Sequence, residues 1–353
     1  MRAVAIITGP QTHLDHLGVL SSLLEIPLIV TEHETYQLAL QFYPDFQIAC
    51  LEPVDLSMDF LAQNFDVIFE TGKFFALELA PFMELLFRKK MRFVFCPHGN
   101  SDKGHSLQDH VDQDISLVYG DHLFDHLTRT GAATKIGQIL RTGNYRYAYY
   151  LQHRARLDAL TDSLIFQKFE APRKTLLYAP TWQDGENAST FFFATDAIIE
   201  QLSPHFNILI KLHPLLVDAS PAQAHAVMRR YEGHPCIQFL TDFPAIYPLL
   251  ARCDAYLGDY SSIGYDFLIF DRPMYFLHPT GAPSTSPLRH CGIEIPMESL
   301  DQLGNRVADT FEESKKRFSE ERRCTYAYAF DADASLESLK ELLQSTELSI
   351  SSQ

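Results

Sequence analysis

Short runs of β-branched and aromatic residues alternate with longer amphipathic segments from the first residues onward, and no other feature constrains the chain as much. A parallel strand covered on both faces reads as a near-continuous apolar run, and its parallel neighbour is reached through a crossover that is normally a helix. The alternation therefore predicts βα units around parallel sheets, in two series. In the first, strands are expected at Val4–Thr8, Leu28–Thr31, Gln47–Leu51, Val67–Glu70, Arg92–Cys96 and Ser116–Tyr119, with a helix over Phe74–Arg88. In the second, strands are expected at Thr175–Tyr178, Ile208–Leu212, Ile237–Leu240, Ala255–Leu257 and Met274–Leu277. Helices are expected near Ala222–Tyr231, Pro244–Ala251 and Ser262–Phe270, then a long polar one over Glu298–Arg323 and a short one over Ser335–Leu343. The fold class is α/β, with two Rossmann-type doubly wound parallel-sheet domains expected to face each other across a cleft and to bind ligand at the carboxyl ends of their strands.

A chain of 353 residues is long for one core, and two domains of about 150 residues are the natural division. Residues 1–150 form the first expected domain. A shift in composition, from the aromatic-basic Tyr145–Tyr150 stretch through a charged segment to Ala171-Pro172, marks a linker over 151–172. The second domain then spans 173–323, a helical segment 324–345, and a Ser-rich tail, 346–353, expected to be disordered. The net charge of −16 disfavours diffuse attraction to nucleic acid or anionic lipid, so an anion bound here needs a local site. No run approaches the length of a membrane span, and the N-terminal strand lacks the features of a secretory signal. Six cysteines without CxxC pairs read as reduced thiols, and a cytoplasmic location is expected, with at most a weak peripheral membrane contact.

Three motifs follow strands of the second series. Asp259-Tyr260-Ser261-Ser262 joins a strand to a helix, where hydroxyls, unpaired N–H groups and the positive end of the helix dipole suit a phosphate; Asp and Ser are also the commonest N-caps. Lys211-Leu-His213-Pro214 places a cation and an imidazole on one side of a strand end, suited to a phosphate gaining charge, though a histidine capping the next turn fits equally. Tyr178-Ala-Pro-Thr181-Trp182 carries the single tryptophan, with the Thr181 hydroxyl able to line an anion site and Trp182 either a platform or a packing residue. In the first series, Pro97-His98-Gly99-Asn100 closes a strand with Lys103 nearby, and a histidine there can move protons near neutral pH. His98, Asp102, His105, Asp109 and His110 form the densest cluster of metal-ligand types, yet their spacings match no compact zinc pattern and no metal is expected. His13/His16 and His122/His126 read as polar helix faces.

Taken in order, His98-Gly99…Lys103, Tyr178-Ala-Pro-Thr-Trp182, Lys211-Leu-His-Pro214 and Asp259-Tyr-Ser-Ser-Ile263 resemble the CDP-glycerol glycerophosphotransferase family, bacterial enzymes of teichoic acid biosynthesis in the cell envelope, over roughly Arg92 to Leu343. The resemblance implies a GT-B architecture and transfer of glycerol phosphate, or a related phosphoalcohol, from CDP-glycerol to an acceptor hydroxyl, with release of CMP. It implies that His98 is the general base, with Gly99 and Lys103 on the acceptor side. His213 and Lys211 steady the donor phosphates, and Asp259, Tyr260, Ser261, Ser262 and Thr181 belong to the donor-phosphate turn. It implies no cofactor beyond the nucleotide donor, and as partners that donor and a hydroxyl acceptor, not nucleic acid. The chain departs from the family pattern at Gln183 and Glu337, where cations are usual. A GT-B glycosyltransferase using a nucleotide sugar, and a catalytically silent nucleotide-binding protein, are the alternatives these departures leave open.

Overall fold

The computed structural model describes residues 1–183, 189–277, 286–330 and 333–344. The chain divides into two compact units. The first takes in Met1–Gly99, Lys103–Gln152 and the segment from Ala329; the second takes in Asn100–Asp102 and His153–Tyr328. The stretch expected as a linker carries a helix, Arg154–Leu164, whose Leu157 and Thr161 are buried within the second unit. Residues 346–353, expected to be disordered, lie outside the described residues.

In the first unit, strands β1 (Ala3–Ile7), β2 (Leu28–Val30), β3 (Ile48–Cys50), β4 (Val67–Glu70), β5 (Arg92–Phe95), β6 (Ile115–Val118) and β7 (Gln138–Arg141) form one sheet ordered 3-2-1-4-5-6-7. Every pairing is parallel, with Ala5 opposite both Leu28 and Phe69. The apolar runs become strands because each is covered on both faces: every residue of β1, β4 and β6 is buried. The chain leaves β1 toward β2 and later returns on the other side as β4, so the carboxyl ends of β1 and β4 flank the point where winding reverses.

The second unit repeats the plan. Strands β8 (Thr175–Ala179), β9 (Asn207–Lys211), β10 (Ile237–Leu240), β11 (Ala255–Gly258), β12 (Met274–Leu277) and β13 (Ile293–Ile295) lie in the order 10-9-8-11-12-13, again all parallel. Here the reversal falls between β8 and β11. One core gathers Leu176, Tyr178, Ile208, Ile210, Leu257 and Leu277 from the strands with Ile198, Leu202 and Val307 from the covering helices. Both elements that the sequence reading lacks, β7 and β13, are edge strands. Gln138-Ile-Leu-Arg141 and Ile293-Glu-Ile295 are only partly buried, so neither needs a continuous apolar run.

The expected long helix over Glu298–Arg323 is three pieces: a 3-10 turn at Met297–Gln302 and helices Leu303–Arg317 and Ser319–Ala329. Arg322 explains the break. Its side chain is fully buried and donates to Asp271 at 2.7 Å and to the carbonyls of Ser314 at 3.2 Å and Lys315 at 2.5 Å. One guanidinium thus adds donors to carbonyls in the last turn of the Leu303–Arg317 helix, where Ser314 also accepts from the Phe318 N–H. Removing it takes those donors from the carbonyls and from a carboxylate that still has some solvent. Arg322→Ala is therefore expected to lower stability by roughly 3 kcal/mol. The measurement is a denaturant titration, in which the midpoint falls while the slope is kept; an unchanged midpoint refutes this account of the break.

Candidate functional site

At the reversal point of the second sheet, Ala179 pairs with Gly258, so the loops leaving β8 and β11 start side by side. A Cβ on residue 258 would lie 2.6 Å from the Ala179 carbonyl oxygen, which excludes any side chain there. The next residue, Asp259, is buried, and its carboxylate is held on three sides. Oδ2 accepts from the Thr181 N–H at 2.7 Å, Oδ1 accepts from the Thr190 hydroxyl at 2.8 Å, and the Thr190 N–H lies at 3.4 Å. Because the Thr190 proton points to Asp259, the Tyr178 hydroxyl donates in its own 2.8 Å contact with Thr190. A buried carboxylate is costly without such donors, and here they fasten the Pro-Thr-Trp loop to the turn.

The side chains of Asp259, Tyr260 and Ser261 bond or pack within the second unit. Asp259 is committed to its own chain. Tyr260 stacks on Phe276 with ring centroids 4.9 Å apart and gives its hydroxyl to Glu294 at 2.5 Å. Tyr256 donates to the Asp259 carbonyl at 2.9 Å, so the Ser261 hydroxyl turns inward to Tyr256 at 3.2 Å. Ser261 occupies the N-cap of the Ser262–Phe267 helix without capping it by its side chain. Ser262, half-buried in the first turn, and the N–H groups beside it are the anion-directed part. Thr181 is buried next to them through its bond to Asp259.

Lys211 ends β9 and is buried, an environment in which an ammonium needs negative charge nearby. His213 caps the Pro214–Ala219 helix: its Nδ1 accepts from the Leu215 N–H at 3.2 Å. This is the capping role the sequence allowed, and it has a chemical consequence. With Nδ1 an acceptor, the proton of the neutral ring sits on Nε2, which becomes a fixed donor. The Trp182 ring packs beside it, centroids 6.1 Å apart. Gln183 is exposed and adds no charge.

In the first unit, His98 follows β5 and is exposed, and Gly99 adopts φ 137°, a conformation reserved for glycine. The pKa of His98 is drawn below the ordinary imidazole value chiefly by loss of hydration, while Asp109 and the nearby Thr71 backbone act in the opposite sense. His13 and His110 flank it. Both are held neutral, pulled down to about 3, first by burial and then by the charge His98 can carry. His13 bonds Thr71 Oγ1 at 2.8 Å, and His110 bonds Ser116 Oγ at 2.6 Å. Lys103 is half-buried and precedes the Gly104–Asp109 turn.

Reading His13/His16 as a polar helix face is corrected: His13 lies against His98, centroids 5.2 Å apart, and His16 is buried with Nδ1 2.8 Å from the Tyr119 hydroxyl. His122 is likewise buried. Thr190, Thr71 and Glu70 were not legible as site residues. Glu70 accepts from the N–H groups of Phe75 and Ala76 at 3.0 and 3.1 Å, yet burial pushes its carboxyl up to about 7. Of the metal-ligand types that cluster along the chain, Asp109 and His110 stay close enough to act on or feel His98. Asp102 accepts from Tyr265 and Ser286 inside the second unit, His110 points to Ser116, and the His105 side chain lies outside the described residues. Among the described residues no group of three or more His, Cys, Asp or Glu could hold a metal ion, and no helix is long and apolar enough to cross a membrane.

Residues 112–280 match the CDP-glycerol:poly(glycerophosphate) glycerophosphotransferase family, a stretch that contains Thr181, Lys211, His213 and Asp259–Ser262 but not His98. The chain is 25% identical over 164 residues to the teichoic acid glycerol-phosphate primase of Bacillus subtilis (strain 168), 45% of this chain and 38% of that protein. It is 32% identical over 151 residues to the teichoic acid ribitol-phosphate primase of Bacillus spizizenii, 40% of this chain and 35% of that one. The matches thus span well under half of these relatives. The fold is that of the wall teichoic acid polymerase TagF, with TM-score 0.63 at 13% identity over 97% of this chain and 88% of that one; a TagF variant has also been solved after soaking with CDPG. The two parallel α/β units are GT-B-like, and residues 112–280 resemble the CDP-glycerol:poly(glycerophosphate) glycerophosphotransferase family.

Proposed function

We propose that this protein transfers glycerol phosphate, or a closely related phosphoalcohol, from CDP-glycerol to an acceptor hydroxyl and releases CMP. The observation that carries the reading is the state of the two histidines, one at a strand end in each unit. His98 is exposed after β5 with Asp109 favouring proton uptake, and His213 accepts at Nδ1, which puts the proton of its neutral ring on Nε2. The reading makes the first the base and the second the electrophile.

In the proposed step, the acceptor oxygen attacks the phosphorus that carries the glycerol and passes its proton to His98. The phosphoanhydride bond breaks, and its electron pair leaves with CMP. Lys211, His213 Nε2–H and the start of the Ser262–Phe267 helix offset the charge that grows on the phosphates. There is little covalent work for the protein, and positioning together with charge supplies the catalysis. These groups suffice without a further cofactor. The site is proposed to work in the cytoplasm. Weak peripheral contact with a membrane is supported by the helix at Ala80–Phe87, which exposes Phe82, Leu85 and Leu86, with Leu85 74% exposed, beside Arg88 and Lys90.

Incubation with CDP-glycerol and hydroxyl acceptors is expected to yield CMP, and His98→Gln to lower kcat by about a hundredfold or more. As a base must be neutral, the rate is expected to fall as pH drops through the lowered His98 value, with a midpoint below the ordinary imidazole value of 6.5. Release of nucleotide from a nucleotide sugar but from no CDP-alcohol would reject the reading. A chelator is expected to change turnover by less than about twofold, given that Lys211 and His213 offset the phosphate charge. In sedimentation with anionic vesicles, Leu85→Glu is expected to reduce the bound fraction, while equal sedimentation of both proteins would reject contact through this helix.

A further inference from the structure

The two residues in front of His98 are bonded to one and the same histidine, each through a tyrosine, and all of these groups lie within the first unit. The Tyr119 hydroxyl donates to the Pro97 carbonyl at 2.7 Å and lies 2.8 Å from His16 Nδ1. The Tyr145 hydroxyl lies 3.3 Å from Cys96 Sγ and donates to the His16 carbonyl at 3.3 Å. Tyr119 directly follows β6, the strand beside β5, and is fully buried. Its ring packs against Tyr145 and Phe330, with centroids 5.9 and 5.6 Å away. We propose that Tyr119 is a positioning residue for His98: by holding the Pro97 carbonyl it fixes the peptide unit from which the histidine emerges, and His16 fixes the direction of the Tyr119 hydroxyl.

The proposal rests on the reading of His98 as a base, and the torsions of the chain give it a physical content of its own. Cys96 is still held by the sheet, its N–H donating to the Glu70 carbonyl at 2.8 Å. Pro97 then locks its own φ, which leaves its ψ as the soft torsion that turns the next peptide unit and swings His98. On the far side comes Gly99, with φ 137° and no Cβ to resist rotation. A hold on the His98 backbone is therefore most direct at Pro97, whose carbonyl turns with that same ψ. A carbonyl only accepts, so the single proton of the Tyr119 hydroxyl goes to Pro97. The 2.8 Å contact with His16 is then donated by His16, from Nδ1–H. The donors run one way, from His16 to Tyr119 to Pro97, and turning the Pro97 carbonyl breaks a bond between buried groups. A base displaced by about 1 Å loses reach of the proton it takes, and the rate falls with it.

The test uses the full chain labelled with 15N in its histidines, with the His98 amide and ring signals identified by their loss in His98→Gln. Tyr119→Phe keeps the buried ring and removes only the hydroxyl. Its His98 signals are expected to shift and broaden. Its kcat for CMP release from CDP-glycerol is expected to fall about fivefold, the equivalent of one ordinary hydrogen bond, with KM changed by less than about twofold. In the His98→Gln background the same substitution is expected to cost less than about twofold, because a residue that acts through His98 then has nothing left to position. His16→Leu, which takes away the donor to Tyr119, is expected to move the same signals and serves if Tyr119→Phe does not fold. Folded Tyr119→Phe or His16→Leu protein with unchanged His98 signals overturns the proposal, as does a fall in kcat repeated in full in His98→Gln. Signals that move while CMP release does not leave the hold on His98 standing and remove that residue as the base. Release of CMP from no CDP-alcohol by the unaltered protein rejects the function, and the His98 signals still decide the hold.

Discussion

The donor-side geometry depends on one buried carboxylate. Asp259 sits where the winding of the second sheet reverses, a place where two strand-end loops leave side by side and would otherwise be free to separate. By accepting from Thr181 after β8 and from Thr190 at the start of the Phe191–Leu202 helix, it draws three pieces of chain to one point. Buried and accepting from its own chain, the Asp259 carboxylate is a structural anchor, and the helix start with Ser262 lies beside it in the chain.

The first unit meets the same topological situation with different chemistry. At its reversal point the carboxyl ends of β1 and β4 are joined through His13 and Thr71, side chains that are neutral as well as polar. A neutral connection suits a place where a proton is to be taken up, because fixed positive charge there would lower the basicity of His98 further. The two units share strand order and differ in which polar pair fastens the reversal point: a carboxylate with hydroxyl and amide donors in one, a hydroxyl with an imidazole in the other.

Much of the fold was readable because buried parallel strands must be apolar on both faces. Val67–Glu70, Ile237–Leu240 and Met274–Leu277 are found at the residues the pattern predicts. The misses have physical causes. β7 and β13 lie at sheet edges and need no continuous apolar run. The Glu298–Arg323 helix breaks because Arg322 turns inward, and a buried arginine has the same one-letter signature as an exposed one. Of the candidate site, Lys211 and His213 lie at the end of β9 and Ser262 at a helix start, where the strand pattern puts them. His13 and Thr190 were not legible, since each is polar, unremarkable in its local pattern, and important only through a partner tens of residues away: His13 through Thr71 and His98, Thr190 through Asp259.

His213 shows why the capping and functional readings of such a residue need not compete. A side chain that caps the Pro214–Ala219 helix through Nδ1 has lost the freedom to accept there, and for imidazole that loss defines the other nitrogen. The cap is what puts the proton of the neutral His213 ring on Nε2. A histidine without such a bond would populate both tautomers. At strand ends of an α/β sheet the first turn of the following helix is always at hand to supply the acceptor's partner, and the preceding strand's carbonyls to supply the donor's. A backbone group that the fold must satisfy in any case thereby sets where a histidine carries its proton.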